Sequence, residues 1–159
     1  MVKLTQPAKL THAHDLTNFN CGTELLDKWL KTTALKKKHS GASTANVVCE
    51  QSTQKVVGYF CLSAGSIIRA SAPSRISRNQ PEPIPVMLLG RLAVDQRFKG
   101  IGLGRNLFVA AYQIALQTAS IVGIRALMVH AVDEDAKNFW LKLGFRVSPT
   151  DPMTLLLKL

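Results

Sequence analysis

The segment Leu92-Ala93-Val94-Asp95-Gln96-Arg97-Phe98-Lys99-Gly100-Ile101-Gly102-Leu103-Gly104-Arg105 joins an apolar run to a helical pattern through a basic turn with alternating glycines. Glycines let a backbone approach an anion closely, and the first amides of a helix, unpaired and at the positive end of its dipole, donate to phosphate. Arg97, Lys99 and Arg105 add positive charge around Gly100, Ile101, Gly102, Leu103 and Gly104. The chemistry on offer is capture of a phosphorylated ligand. It is not that of a nucleotide P-loop, since no Gly-Lys-Ser/Thr follows, nor that of a dinucleotide fingerprint, since the turn lies deep in the chain. The same residues also suit a strand-to-helix turn that is softened by glycine and binds nothing.

About 40 residues further on stands Phe139-Trp140-Leu141-Lys142-Leu143-Gly144-Phe145. Arg97-x-x-Gly100-x-Gly102 after Leu-Ala-Val, taken with this second motif, resembles the GCN5-related N-acetyltransferase (GNAT) family. The resemblance implies an α/β fold in a single domain over residues 1–159, a mixed central sheet with splayed parallel strands flanked by helices. It also implies acetyl-CoA as the cofactor: the turn holds its pyrophosphate, the strand at Leu92, Ala93 and Val94 hydrogen-bonds its pantetheine arm, and the arm enters a splay between strands at residues 85–94 and 124–132. Three further stretches resemble the toxin subfamily of these enzymes: Leu25-Leu26-Asp27-Lys28-Trp29-Leu30, the run Pro81-Glu82-Pro83-Ile84-Pro85-Val86 ahead of Gly90-Arg91-Leu92, and Met128-Val129-His130-Ala131. That likeness implies a toxin of a type II toxin-antitoxin system that acetylates the α-amino group of aminoacyl-tRNA and so blocks translation. It implies a ribbon-helix-helix antitoxin, a homodimer, and operator DNA met only through the antitoxin complex.

Acetyl transfer needs a neutral amine, a polarised thioester carbonyl and an outlet for the departing thiolate. A terminal α-amino group has a pKa of about 7.7 to 8.0 that falls further in an amino ester, so much of such a substrate is already neutral and no strong base is required. A backbone N–H of Leu92 or Val94, the residues favoured by the family pattern, would polarise the carbonyl. At the outlet the chain departs from its family, because Trp140 fills the position of a tyrosine that protonates the leaving coenzyme. An indole N–H donates a hydrogen bond but delivers no proton at ordinary pH. Trp140 therefore shapes the thioester pocket while another group finishes the step, or marks a slow or silent homologue or an attenuated variant, or is one more aromatic on a buried stripe.

Asp133 stands where relatives have an asparagine that contacts pantetheine, and it equally suits a helix cap; Asn138 either reaches the coenzyme or is a surface amide. His130 is a candidate substitute acid or a core histidine. For the tRNA the candidates are Lys28, Lys31, Lys36, Lys37 and Lys38, with Arg75, Arg78 and Arg91, which would contact phosphates; a solvated basic face is the plain alternative, and an acidic antitoxin tail is another occupant. Rival readings are a GNAT enzyme for another primary amine and a catalytically impaired binding subunit.

Periodicity places these residues on elements. Apolar spacing predicts a helix over residues 22–38, strands at 45–50 and 55–68, and an irregular loop with four prolines at 71–85. A short opening strand is expected within 3–9, a buried strand at 85–94, and a helix over 102–122 stopped by a left-handed Gly123. A strand follows at 124–132, then a helix capped by Asp133 and closed before Gly144, then strands at 145–147 and 154–159.

With 159 residues, 47% of them hydrophobic, the chain is long enough to bury a core without disulfides or a structural metal. The cysteines Cys21, Cys49 and Cys61 form no CxxC pair and are expected to be reduced and buried; no metal site is expected. No apolar run reaches the roughly 18 residues of a membrane helix, so a cytoplasmic location with no membrane partner is expected. Twenty Lys and Arg against ten Asp and Glu give +10, which favours a polyanionic partner.

Overall fold

The computed structural model describes residues 2–159. Seven strands form one mixed sheet: β1 (Ala8–Lys9), β2 (Thr44–Cys49), β3 (Val56–Ile67), β4 (Ile84–Val94), β5 (Ala126–His130), β6 (Arg146–Val147) and β7 (Thr154–Lys158), in the order β1-β2-β3-β4-β5-β7-β6. The helices are α1 (Glu24–Thr32), α2 (Ala34–Ser40), α3 (Ser74–Ser77), α4 (Leu103–Ala119) and α5 (Glu134–Lys142). By its contacts the chain divides into two compact units: residues up to Ser63 with Arg91–Ala111, and Ala64–Gly90 with Tyr112–Leu159.

In the first unit β1, β2 and β3 pair antiparallel, Ala45 opposite Cys61 and Val47 opposite Tyr59. Val-rich strands pack well on a pleated half-buried surface, and here Val47, Val56 and Tyr59 close over Phe19, Leu30 and Ala34. Each such side chain removed from water contributes about 1.5 to 3 kcal/mol. The cysteines are free and buried, as expected.

In the second unit β4 and β5 run parallel, paired at Val86 with Ala126, Met87 with Leu127 and Leu88 with Met128. β7 lies antiparallel on β5, and β6 on β7. Ile76, Ile84, Val86, Ala126 and Leu156 form the core of this unit. α5 begins where expected, with the Asp133 carboxylate accepting from the Ala136 N–H at 2.8 Å, and Gly144 beyond its end takes a φ of 100°.

Three expectations are corrected. The helix expected over 22–38 is two helices, because Thr32 turns its hydroxyl back onto the Lys28 carbonyl at 2.7 Å and Thr33, the joint, has a ψ of −32° with a φ of −118°. Such back-bonding in a β-branched pair loosens a helix. The 71–85 stretch is not wholly irregular: after a 3₁₀ turn at Arg69–Ser71 it forms α3, whose Ile76 is buried in the core. α4 ends at Ala119 rather than at Gly123, which has no left-handed φ. Its last carbonyls are met instead by backbone amides, Ser120 on Leu116 and Gln117 and both Ile121 and Val122 on Thr118, with the Ser120 hydroxyl adding a bond to Gln117.

Candidate active site

The basic turn is built around one carboxylate. Asp95, at the end of β4, is 1% exposed. It accepts from the Arg97 N–H at 2.9 Å, from Arg97 Nε at 3.0 Å and from the Asn20 N–H at 3.1 Å. Burial opposes ionisation of this carboxyl, but the Arg97 and Asn20 hydrogen bonds outweigh it and hold Asp95 below the usual carboxylate range. The Asn20 carbonyl accepts from the Gln96 N–H at 2.8 Å, and Lys99 Nζ donates to the Cys21 carbonyl at 2.8 Å. The turn is thereby bound to the loop ahead of α1.

Beyond Lys99 the turn is open. Gly100 and Gly102 both have φ of 83°, and nothing lies within 4 Å of a Cβ placed on either. A side chain at such a φ is strained, which is why glycine serves here. The Asn106 N–H bonds to the Gly102 carbonyl at 3.1 Å, so helical bonding in α4 starts there and the amides of Leu103, Gly104 and Arg105 lie in the first turn, without intrahelical acceptors. Arg105 and Ile101 are exposed, while Leu103 is buried and fixes the helix start. A row of such amides beside open glycines fits a pyrophosphate. Arg97 is held by Asp95 and Lys99 by the Cys21 carbonyl, so both position the turn as well as charging it. Of the preceding strand, Ala93 and Val94 are buried and Leu92 is half-buried.

A stack not foreseen from the sequence lies in the same unit. The Arg91 guanidinium sits 4.2 Å from the Trp29 ring centroid, Trp29 stacks on Tyr59 at 6.1 Å, and the Tyr59 hydroxyl donates to the Leu26 carbonyl at 2.8 Å. Burial pushes the Cys61 thiol up to about 12, against hydrogen bonds from Arg91, so it is no nucleophile. Arg91 and Trp29 are 62 positions apart, and only the apolar spacing of α1 hinted that Trp29 faces inward. Among the other basic candidates of this unit, Lys28 and Lys31 on α1 and Lys36 and Lys37 on α2 are exposed, whereas Lys38 is half-buried and donates to the Leu10 carbonyl at 2.9 Å.

In the second unit, α5 carries Asn138 and Trp140, and Asp133 precedes it. Asp133 is the helix cap, Asn138 is exposed, and Trp140 is 7% exposed. The Trp140 ring meets Phe139 edge-on at 4.9 Å and Phe145 at 5.2 Å. His130 is exposed rather than in the core. Its Nδ1 lies 3.0 Å from the Thr154 hydroxyl, which itself donates to Asp151 at 2.8 Å. With the hydroxyl proton committed to Asp151, Nδ1 is the donor to the Thr154 oxygen. Arg75 and Arg78 lie exposed on α3 and just after it. Among the described residues no cluster of His, Cys, Asp or Glu could hold a metal ion.

The chain is 41% identical over 151 residues to a tRNA-acetylating toxin of Mycobacterium tuberculosis (strain ATCC 25618 / H37Rv), a match covering 95% of this chain and 90% of that protein. The structure of AtaT complexed with acetyl-methionyl-tRNAfMet superposes with a TM-score of 0.91 at 30% identity, over 98% of this chain and 95% of that one. A tyrosine-to-phenylalanine mutant of the toxin AtaT, bound to acetyl-CoA and to the C-terminus of the antitoxin AtaR, gives a TM-score of 0.83 at 29% identity, over 98% and 92%. Residues 20–154 match the acetyltransferase (GNAT) domain, and that span takes in the buried Asp95, the open glycine turn and α5 alike: the chain belongs to the GNAT acetyltransferases.

Proposed function

We propose that this protein is an acetyl-CoA-dependent N-acetyltransferase toxin that acetylates the α-amino group of aminoacyl-tRNA and thereby stops translation. The observation that carries the reading is the turn at Gly100 and Gly102: two left-handed glycines with open space above them at the start of a 17-residue helix. The amides of Leu103, Gly104 and Arg105 take the coenzyme pyrophosphate, with Arg97, Lys99 and Ile101 shaping its approach. The edge of β4 at Leu92, Ala93 and Val94 takes the pantetheine arm. The substrate's α-amino nitrogen attacks the thioester carbonyl, whose oxygen is held by a backbone N–H of that strand. The new C–N bond forms, the C–S bond breaks, the amine proton passes to water, and coenzyme A leaves as its thiolate.

Trp140 cannot protonate that thiolate, so this chain carries out the step without the phenol its family uses. The same observation supports a second reading, a catalytically silent binding subunit. Lys28, Lys31, Lys36 and Lys37, with Arg75, Arg78 and Arg91, supply the basic surface for the tRNA backbone. Asn138 of α5 and the cap residue Asp133 are offered to the coenzyme. A ribbon-helix-helix antitoxin neutralises the toxin and brings it to operator DNA, the toxin acts as a homodimer, and it works in the cytoplasm, where charged tRNA is found. No described helix is long and apolar enough to cross a membrane.

A cell-free translation reaction tests this. Added protein stops synthesis only when acetyl-CoA is present, and fresh aminoacyl-tRNA restores it. Inhibition that is indifferent to acetyl-CoA would contradict the proposal.

A further inference from the structure

The second unit carries a cleft of about 210 Å³ that uses none of the glycine turn. Its floor is apolar: Ile76 and Leu156 are buried and Leu157 is half-buried. Its rim is cationic. Arg75 comes from α3, Arg146 from β6 and Lys158 from β7, all three exposed. A fourth cation stands against α3: Arg125 donates from Nε to the Ile76 carbonyl and from Nη2 to the Arg75 carbonyl, both at 3.0 Å. That pins the α3 backbone to the start of β5. No carboxylate lines the cleft. Among the described residues, the ion pairs are Arg69 with Glu82 and Arg97 with Asp95, and neither involves the rim.

We propose that this cleft binds the phosphodiester backbone of the tRNA substrate, a contact separate from the residues assigned to the coenzyme and from the lysines of α1 and α2. The inference rests on the aminoacyl-tRNA reading. Two guanidinium forks and an ammonium from three elements match phosphate oxygens, and the apolar floor suits the ribose between them. An acidic peptide is the other anion with the right charge, and the binding test separates it from tRNA; its strand-addition mode needs an exposed sheet edge. The edge strand β6 is two residues long, Arg146 and Val147, with one further bond from the Ser148 N–H to the Thr154 carbonyl before the chain leaves through Pro149 and the Asp151-Pro152 turn. Two residues are too short a template for strand addition.

The test is binding of fluorescently labelled deacylated tRNA to the full-length protein and to the double variant Arg146→Ala/Lys158→Ala across a salt series. Both residues are exposed, and acetyl-CoA affinity reports that the variant is folded. The variant is expected to bind tRNA about tenfold more weakly at moderate salt, and its slope of log affinity against log salt is expected to be shallower by about two. Arg146→Lys with Lys158 intact is expected to keep the slope. An unchanged affinity and slope in a variant that still binds acetyl-CoA overturns the cleft while leaving the tRNA substrate standing. Loss of affinity for an acidic antitoxin peptide with tRNA binding intact also overturns it, in favour of a protein partner. No tRNA binding by the parent protein overturns both readings together.

Discussion

Asp95 connects the coenzyme turn to the rest of its unit through four hydrogen bonds on one buried carboxylate, one from the Asn20 N–H and three from Arg97. Asp95→Ala leaves the Asn20 and Arg97 amides without their acceptor, and unfolding in urea is expected to show a loss of about 2 kcal/mol. The sign of its pH dependence comes from a folded pKa lying below the unfolded one. The stabilisation is full above the unfolded value of about 3.9 and is lost as pH falls through the folded value, so parent and variant converge in acid. A penalty that grows on acidification would show that the carboxylate is not the stabilising form. Trp140 is the residue for the chemical step. Placing a phenol there with Trp140→Tyr is expected to raise kcat for acetyl transfer by about a hundredfold, the ordinary worth of a positioned acid. A variant that binds acetyl-CoA and is no faster than its parent would remove Trp140 from any account of the rate.

At the scale of elements, the glycine turn and the start of α4 act as one device. Gly102→Ala meets no neighbour within 4 Å, so its cost is the strain of a methyl-bearing residue at a φ of 83° and the methyl's place in the anion's approach. A roughly tenfold weaker acetyl-CoA affinity is expected by calorimetry, with about 1 kcal/mol lost from stability; unchanged affinity would move the pyrophosphate elsewhere. The lysines of α2 separate in the same way. Lys36→Ala/Lys37→Ala is expected to raise KM for charged tRNA and flatten its salt dependence, whereas Lys38→Ala, which abandons the Leu10 carbonyl, costs about 1 kcal/mol of stability and leaves the salt dependence alone.

Much of this layer is legible in the sequence because its signals are local: Asp133 and Gly144 bracket α5, and the alternating glycines mark the turn. The rest is not local. The break at Thr33 depends on a hydroxyl choosing the backbone over water, α3 has only four residues and shows no period, and the Arg91–Trp29 stack joins positions that only the folded sheet brings together. Asp95 stood inside the motif, yet its partner Asn20 lies 75 residues away.

For the whole molecule, the charge of +10 sets the behaviour. Acetylation of tRNA is expected to fall steeply with added salt, because each phosphate contact releases counterions, while transfer to a small neutral amine is expected to stay nearly flat. The same positive surface would draw an acidic antitoxin segment, so inhibition and substrate binding would compete for it. The most direct measurement of the central claim is mass spectrometry of total charged tRNA after incubation with the protein and acetyl-CoA, followed by nuclease digestion. N-acetyl-aminoacyl-adenosine is predicted, in amounts that rise with time, and the amino acids it carries define the specificity. Unmodified aminoacyl-adenosine alone, from a protein shown in the same preparation to bind acetyl-CoA, would contradict the account.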